Sequence, residues 1–559
     1  MIYRKRFSEI LFPVLFFAYL FSCQNKPKPI EKDVVTVAEK MPEHLSEDIK
    51  KIVEYALQNK ASIIDSAHLG YMHLDSSLYE DKKYEAIWSA KEQWLATGDS
   101  LYQFIENCRY YGLFPSDYHF GSLSFIHRVF NEDTIARKNI ALWAKADLLL
   151  TDAFFSLVKD LKQGRLQYDS VTLRTDTLLR DTFFIHTLDT ALLTGSISYA
   201  LHNIEPKHAG YDSVKAYAKD FLAAAKFNPF TYLFYPYKDS VAFFKSLQTR
   251  LYEIGMLTSD TVHADTTILK LAIRKYQKSK NLKLTGRVDE KMVNALNDTD
   301  IERFKRIAIN LDRYKLLPDS LPHTYVWVNL PAFYLKVIDS DTLVFESKVI
   351  VGKPDTRTPL LTSEVSNFIT LPQWTVPNSI IFKEMLPKIK QNVDFLKKEN
   401  LMVVDKDDNV VDPSLVRWAR LNKNNFPYQL KQGQGDNNSL GVIKFNFRNK
   451  YSVYMHDTNV RWMFGKPFRA LSHGCVRVQQ WEKLSDFLIR NDTVRYHPDS
   501  LRAWIKRQEK HVVSGFHKVP VFFRYFTCEG KKGHLRFYDD IYGEDKFLRE
   551  KYFADKAVK

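Results

Sequence analysis

A histidine and a cysteine in the C-terminal part of the chain have the spacing of a catalytic pair. His456 precedes Cys475 by 19 positions, and the cysteine lies in the segment 472–477, Ser-His-Gly-Cys-Val-Arg. A thiol becomes a strong nucleophile as the thiolate, and a neighbouring imidazole is the commonest group that takes its proton. A buried free cysteine beside two structural histidines is the alternative, and this segment favours catalysis.

The flanking patterns indicate how the two side chains are positioned. Residues 451–455 have the pattern of a short β-strand that leads into His456, and a loop containing Gly and Pro then turns the chain back. Residues 481–489 have an amphipathic helical pattern just after Cys475. The cysteine is therefore predicted at a strand-to-helix transition, where free backbone N–H groups can bind an oxyanion.

These residues resemble the catalytic motif of the L,D-transpeptidases, the cysteine enzymes that cross-link peptidoglycan. That family has an upstream histidine with a small or polar pair, then Ser-His-Gly-Cys, an aliphatic residue, and Arg or Asn. Residues 456–458 (His-Asp-Thr) and 472–477 fill these places without a gap. The resemblance extends to 310–313 (Asn-Leu-Asp-Arg), 372–377 (Pro-Gln-Trp-Thr-Val-Pro) and 540–543 (Asp-Ile-Tyr-Gly).

The resemblance implies a peptidoglycan L,D-transpeptidase that works through a cysteine acyl-enzyme. With His456 as base, Cys475 attacks the carbonyl at the L-centre of the third stem residue and releases D-Ala. The side-chain amine of a second stem peptide then takes the acyl group and forms a 3–3 cross-link. The alternatives are an L,D-carboxypeptidase or endopeptidase that uses water, and a wall-binding lipoprotein without catalysis. No cofactor is implied.

Four more residues of the motif are candidates for supporting roles. Gly474 allows close approach of substrate, and its N–H and that of Cys475 could form an oxyanion hole. Arg477 offers paired donors to a carboxylate and a positive field that favours the thiolate. Ser472 is predicted to hold the loop by hydrogen bonding, and His473 to contact substrate or oxyanion.

Trp374 and Tyr454 are candidates for substrate contact, and burial in the core is the alternative for both. A backbone carbonyl near Asp457 is expected to orient His456, with the Asp457 carboxylate as the alternative acceptor. A zinc site could be drawn from the two histidines and the cysteine of the motif. Zinc sites use closer ligand pairs and commonly a carboxylate, so we predict no metal.

The first residues have the features of an export signal. Basic residues at 4–6 precede a twelve-residue apolar segment, 10–21, which is too short to span a bilayer. The sequence Leu-Phe-Ser-Cys at 20–23 resembles a bacterial lipoprotein processing site, with 1–22 removed and Cys23 lipidated. We therefore expect a lipid-anchored protein of the Gram-negative periplasm, attached to the outer membrane. An uncleaved anchor or a simple secreted form is the alternative.

Composition and charge agree with an exported multidomain protein. The chain has 559 residues, enough for about three domains, and its 45% hydrophobic and 14% aromatic residues exclude a largely disordered chain. The net charge of +15 fits a polyanionic envelope behind a signal peptide, and we predict no nucleic-acid partner. Cys475 is expected to be free, and Cys108 and Cys528 to be small buried apolar residues.

Domain boundaries follow from these patterns and from the resemblance. Residues 23–45 are polar and predict a tether, and 46–260 have mostly helical patterns that resemble the scaffold domain of larger family members. Residues 261–300 resemble a small three-helix peptidoglycan-binding domain, with a helical spacer as the alternative. The catalytic domain is predicted over 301–545, followed by a tail over 546–559.

The predicted fold class is α+β multidomain. Short alternating runs separated by Pro, Asp and Gly turns predict a mostly antiparallel β catalytic domain. This pattern is interrupted at about 378–432, where helical patterns occur. In larger family members an insertion here caps the active site, and a surface insertion without a gating role is the alternative. A helical cap would exclude water from an acyl-enzyme and favour transfer to an amine.

Overall fold

The computed structural model describes residues 41–63, 67–166, 178–259, 266–492 and 494–558. Cys23, the predicted signal peptide and most of the predicted tether lie outside these residues. The described chain forms two compact units, one made of the residues up to 98 with 122–152, the other of 99–121 with the residues from 153 onward. Within the described ranges, no helix is long and apolar enough to cross a membrane.

Helices dominate the first half of the described chain, in agreement with the predicted helical regions. Helices α1 to α12 are Met41–Gln58, Met72–Asp81, Ala96–Glu106, Phe120–Glu132, Ile140–Lys162, Asp181–Thr194, Ile197–Ile204, Ala209–Ala224, Ser240–Glu253, Thr266–Ser279, Glu290–Asn297 and Asp300–Lys315. Strands β1 (Ser89–Ala90) and β2 (Gln93–Trp94) form a small antiparallel pair. Helix α1 begins within the predicted tether, because Leu45 and Ile49 form a buried apolar stripe.

Helices α9, α10 and α11 share one apolar core. Its buried residues include Leu247, Ile273, Tyr276, Met292 and Leu296. The carboxylate of Asp289 caps α11 by accepting from the N–H of Met292 at 2.9 Å. The sequence assigns α9 to the scaffold region, whereas the structure places its apolar face in this core, so the three-helix unit begins before residue 261.

The C-terminal half contains a nine-stranded sheet. Strands β3 to β6 are Tyr325–Asn329, Tyr334–Asp339, Thr342–Gly352 and Leu361–Thr370, and β11 to β15 are Ile443–Phe447, Met455–His456, Ala470–Ser472, Val476–Val478 and Val512–Arg524. Their order in the sheet is β13-β5-β14-β12-β11-β6-β15-β3-β4. Strand β4 also pairs with β5, which closes the sheet into a ring. The pairs β12–β14, β5–β13 and β3–β15 are parallel and the others antiparallel, as the predicted fold class requires.

Helices and a strand pair complete this domain. They are α16 (Trp481–Ile489), α17 (Pro498–Lys506), α18 (Glu544–Tyr552), β16 (Cys528–Lys531) and β17 (His534–Phe537). The predicted tail over 546–559 is packed rather than free, because α18 continues into it and Phe553 is buried against Phe114 and Phe304. Cys108 and Cys528 are buried and unpaired, in agreement with their predicted role as apolar residues.

The insertion within the catalytic domain, which we call the cap, has its own core. It contains β7 (Trp374–Thr375), α13 (Asn378–Ile380), a π-helical turn (Ile381–Met385), α14 (Leu386–Gln391), α15 (Asp394–Lys398), β8 (Leu401–Val404), β9 (Val410–Val411) and β10 (Gln429–Gln432). The sequence predicts a helical cap, and the structure adds an antiparallel sheet in the order β7-β10-β8-β9. Strand β10 pairs with β7 and β8, which both lie far from it in the sequence, so the local pattern of residues does not predict this sheet.

Candidate active site

The register between β12 and β14 brings His456 and Cys475 to neighbouring positions. These strands are parallel, with Met455 beside Val476 and His456 beside Arg477. Paired residues point to the same face of a sheet, and faces alternate along a strand. Tyr454 and Cys475 continue this alternation and interact with each other. One face of the sheet therefore carries the candidate base, the candidate nucleophile and two further candidates.

His456 is held as a neutral imidazole. The residue is 5% exposed, and burial followed by the positive charge of Arg477 lowers its pKa to about 3. The carbonyl groups of Asp457 and Leu440 approach the ring and favour its protonated form, but less strongly. By distance and angle, Nδ1 makes no hydrogen bond to any described residue. The imidazole is therefore able to accept a proton at neutral pH.

The Cys475 thiol is also neutral in the resting site. Burial raises its pKa, whereas the interactions with Tyr454 and the positive charges of Lys444 and Arg477 oppose this rise. The cysteine is half-buried and unpaired. The resting site thus holds a thiol and an uncharged imidazole on the same face of two neighbouring strands, and any thiolate has to form from this neutral state.

Ser472 organises the turn that presents the thiol. Its hydroxyl donates to the Cys475 carbonyl at 2.6 Å and accepts from the Gly474 N–H at 3.1 Å. The Thr358 hydroxyl donates to the Gly474 carbonyl at 2.8 Å. Gly474 has φ of 120°, a conformation that favours glycine. Because Ser472 occupies the Gly474 N–H, the Cys475 N–H is the better candidate for an oxyanion donor.

Two residues of the cap reach the candidate site. Glu384 Oε1 lies 2.5 Å from His473 Nε2, and both side chains are partly exposed. Trp374 interacts with the Tyr454 side chain, and Tyr454 interacts with Cys475, so these two aromatic residues belong to the candidate site rather than to a remote part of the core. His473 thus contacts the cap, and any contact it makes with substrate has to share this partner.

The Asp457 carboxylate is committed to a different task from orienting His456. It is fully buried, and it accepts from Arg461 Nε at 3.0 Å and from the Val442 N–H at 3.1 Å. A Cβ atom at Gly441 would lie 2.2 Å from Asp457 Oδ2, so only glycine fits there. Asp457 therefore fixes the loops on either side of His456.

Lys444 is a site residue that the motif does not reveal. It lies on β11 directly opposite His456, so Lys444, His456 and Arg477 form one row across three strands. Its Nζ atom is 4.2 Å from the centroid of the Tyr454 ring. The alternation of residues 443–447, Ile-Lys-Phe-Asn-Phe, is the only local signal that Lys444 faces away from the apolar core.

Family comparisons match three segments in the order found here. Residues 76–217 match the family described as "Scaffold domain", 242–296 match "Putative peptidoglycan binding domain", and 323–495 match "L,D-transpeptidase catalytic domain". The fold and site thus define a multidomain protein with a catalytic domain of the L,D-transpeptidase type. The catalytic-domain match and a curated relative named for the same activity both support the L,D-transpeptidase family for this chain.

Individual relatives share parts of the chain. A Haemophilus influenzae protein named "Putative L,D-transpeptidase" is 34% identical over 250 residues, which are 43% of this chain and 48% of that protein. The chain thus spans about half the length of this curated relative. The solved L,D-transpeptidase from Mycobacterium smegmatis has a TM-score of 0.18 at 13% identity and covers 36% of this chain and 58% of its own. The solved L,D-transpeptidase from Stackebrandtia nassauensis has a TM-score of 0.15 at 12% sequence identity, and the match covers 50% of this chain and 89% of that one.

Proposed function

We propose that this protein is a peptidoglycan L,D-transpeptidase with Cys475 as nucleophile and His456 as general base. The observation that supports this most directly is the pairing of β12 with β14, which holds both residues on one face of the sheet. The family match over 323–495 contains both residues. A protein that only binds the cell wall has no need for a neutral imidazole beside an unpaired thiol.

Acylation begins from the neutral pair. The Cys475 thiol gives its proton to His456 as sulfur forms a bond to the carbonyl carbon of the third stem residue. The oxyanion that results faces the Cys475 N–H. The intermediate collapses when the carbon–nitrogen bond breaks, and protonated His456 gives its proton to the departing D-Ala amine. The product is a thioester and a neutral imidazole.

Transfer reverses these steps with a new amine. The side-chain amine of a second stem peptide attacks the thioester carbonyl while His456 removes a proton from nitrogen. Sulfur then leaves and regains a proton from His456, which yields a 3–3 cross-link and the free thiol. The contacts of Trp374 and Glu384 with Tyr454 and His473 support a cap that covers this region, and such a cap would favour an amine over water as acceptor.

Other parts of the assignment belong to the same proposal. Peptidoglycan stem peptides are the proposed substrates, and the three-helix unit is proposed to hold the enzyme on the wall. Lipidation of Cys23 and attachment to the outer membrane, facing the periplasm, stay predictions because that segment lies outside the described residues.

Product analysis tests the proposal. Wild-type protein and a Cys475→Ala variant are incubated with disaccharide-tetrapeptides, and the products are weighed by mass spectrometry. We expect cross-linked dimers lacking one D-Ala with the wild type and none with Cys475→Ala. A Cys108→Ala variant, which loses an unrelated thiol, is the control and should still form the dimers. Free tripeptides as the main product would indicate a carboxypeptidase, and unchanged substrate would contradict an enzymatic role.

A further inference from the structure

We propose that Lys444 and Arg477 form a carboxylate-binding pair that recognises the free C-terminal carboxylate of the donor's leaving D-Ala. This inference rests on the proposed function and adds the two residues that recognise the donor terminus. It predicts that Lys444 and Arg477 together hold the terminal carboxylate of a stem that ends in D-Ala. A donor whose last carboxylate is capped, or followed by another residue, would be a poor substrate.

The strand register places the two cations on opposite sides of the candidate base. Lys444 is paired with His456 across β11 and β12, and Arg477 is paired with His456 across β12 and β14. Two strand spacings separate the backbones of Lys444 and Arg477 by about 10 Å. Side chains of this length, on one face of the sheet, can both reach a group held between them.

Neither cation has an acidic partner in the described part of the chain. Lys444 Nζ lies over the Tyr454 ring at 4.2 Å, and Arg477 Nη1 contacts the Met463 sulfur at 3.9 Å. Arg477 Nε is buried, and no residue that the structure describes forms a hydrogen bond with it. Buried charged groups in proteins are normally paired, so two half-buried cations without a carboxylate indicate a site for an anion.

The nearby carboxylates are used elsewhere. Asp457 accepts from Arg461, and Glu384 of the cap contacts His473. Burial is the main cause that lowers the pKa of both Lys444 and Arg477, and the Cys475 sulfur is the group that opposes it in each case. Both cations therefore act on the nucleophile, and both would be stabilised by a bound carboxylate.

The chemistry of the donor brings a carboxylate to this place. In a stem that ends in D-Ala, the terminal carboxylate carbon is less than about 4 Å from the carbonyl carbon that sulfur attacks. The row of Lys444 and Arg477 lies about 7 Å along the strands from that of Tyr454 and Cys475. A substrate carbonyl held at the sulfur therefore places its leaving-group carboxylate within reach of both cations.

Binding of the donor carboxylate would also make His456 a better proton acceptor. His456 lies between the two positive charges, and both disfavour its protonated form. A carboxylate held between Lys444 and Arg477 cancels this field and makes proton transfer from the thiol easier. The same contact that recognises the donor thus activates His456, and the thiol stays neutral while the site is empty.

The test compares two donors that differ in one group. D-Ala release is measured with a disaccharide-tetrapeptide that ends in a carboxylate and with the same compound as the terminal carboxamide. We expect kcat/KM of the wild type to favour the carboxylate by about 100-fold. In a Lys444→Met variant the preference should fall to about 10-fold or less, mainly through the acid donor.

A matched control is available on the same hairpin. Lys450 lies 5.3 Å from the Tyr451 ring, in an arrangement similar to that of Lys444, but it is exposed. A Lys450→Met variant should retain the full preference for the carboxylate. An equal rate with both donors in the wild type would overturn the proposal. So would an equal loss with both donors in Lys444→Met.

Two further measurements separate the sources of failure. A donor whose third-residue side-chain carboxylate is amidated should remain a good substrate, and a poor rate with it would overturn the assignment to D-Ala. Binding of the acid and amide donors to Cys475→Ala is measured by calorimetry. A preference for the acid that Lys444→Met removes supports the pair even without turnover, and equal affinities would refute it.

Discussion

Two clusters of charged side chains, one around Asp147 and one around Lys444 and Arg477, differ in whether the fold provides them with partners. In the first compact unit, the fully buried Asp147 carboxylate accepts from the Tyr79 hydroxyl at 2.6 Å. It also accepts from the N–H groups of Ile87 and Trp88, both at 3.0 Å. Both carboxylate oxygens therefore accept hydrogen bonds, and the carboxylate joins α2, the segment before β1 and α5.

The candidate active site shows the opposite arrangement. Lys444 and Arg477 have no carboxylate within ion-pair distance among the described residues, and Arg477 Nε has no partner at all. A buried charged group that finds its hydrogen-bond partners within the protein stabilises the fold. A group that lacks a counter-charge can instead form its strongest interactions with a bound ligand. The difference predicts that mutations in the two clusters have opposite effects on stability and activity.

The largest effect is expected at the base itself. Replacing His456 by Ala removes the proton acceptor and should lower the rate of Cys475 acylation by about 1,000-fold. Single-turnover mass spectrometry of the acyl-enzyme measures this rate, with the exposed His534→Ala as the control variant. A loss smaller than tenfold would show that another group takes the proton.

The same residue predicts an unusual pH profile. The folded-state pKa of His456 is about 3, below its ordinary value, because of burial and the adjacent cations. The imidazole therefore stays unprotonated down to about that pH, and kcat/KM should not fall as the pH drops from 7 to 5. An acidic limb with a midpoint between 6 and 7 would contradict the neutral state of this base.

The satisfied cluster should respond through stability. Asp147→Asn places an amide N–H against a backbone donor and should lower the free energy of unfolding by about 2 kcal/mol at pH 7. Chemical denaturation measures it, with the exposed Glu80→Gln as control. Burial raises the pKa of Asp147 to about 6 in the folded protein, so wild-type stability should decrease as the pH rises from 4 to 6. The difference in the free energy of unfolding between the wild type and Asp147→Asn should therefore be larger at pH 4 than at pH 7. An equal difference at both pH values would contradict this.

A smaller effect is expected where the cap meets the site. Glu384→Gln removes the charge that holds His473 at 2.5 Å and should loosen the cap. The ratio of hydrolysis to transfer is expected to rise by about threefold to tenfold. Product ratios with and without added amine acceptor measure this, and Glu399→Gln, an exposed position of the cap, is the control. An unchanged ratio would mean that this contact has no role in excluding water.

The smallest effect distinguishes the two clusters most clearly. Lys444→Met should raise the free energy of unfolding by about 1 kcal/mol, because it removes a half-buried cation that has no counter-charge. Its lowered folded-state pKa means that the charged form is disfavoured at neutral pH, so the gain should vanish as the pH passes about 10.5. Lys450→Met should change nothing, and destabilisation by Lys444→Met would show that the lysine has a structural partner.

Sequence patterns predicted the local parts of this picture. The segment 472–477 and His456 carry the family resemblance because the spacing of residues in a motif is a property of the sequence itself. The predicted strand-to-helix transition at Cys475 is wrong, since this residue lies between β13 and β14, and α16 begins only at Trp481. The helical scaffold and the antiparallel β domain follow from periodicity for the same reason. Lys444 could not be recognised, since its position opposite His456 depends on the register between β11 and β12.

Other features needed the folded chain. The sheet of the cap pairs Gln432 with Trp374 and Leu401, residues that are far apart in sequence. Helix α9 packs into the same apolar core as α10 and α11. Its apolar pattern in the sequence is equally compatible with a helix of the scaffold region, so the pattern does not decide between the two. The hydrogen bond from the Gly474 N–H to the Ser472 hydroxyl depends on the exact geometry of the turn, and the spacing of residues in the sequence does not predict it.

The cap has an apolar core of its own, built from residues such as Ile389, Val403 and Leu430, and it reaches the site through the side chains of Trp374 and Glu384. Its interior can therefore vary without disturbing the strands that carry His456 and Cys475. If the proposed function holds, the choice of acceptor and the groups that break the donor bond belong to separate parts of the domain. Grafting another cap between positions 374 and 432 would then alter the acceptor and leave the candidate catalytic pair unchanged.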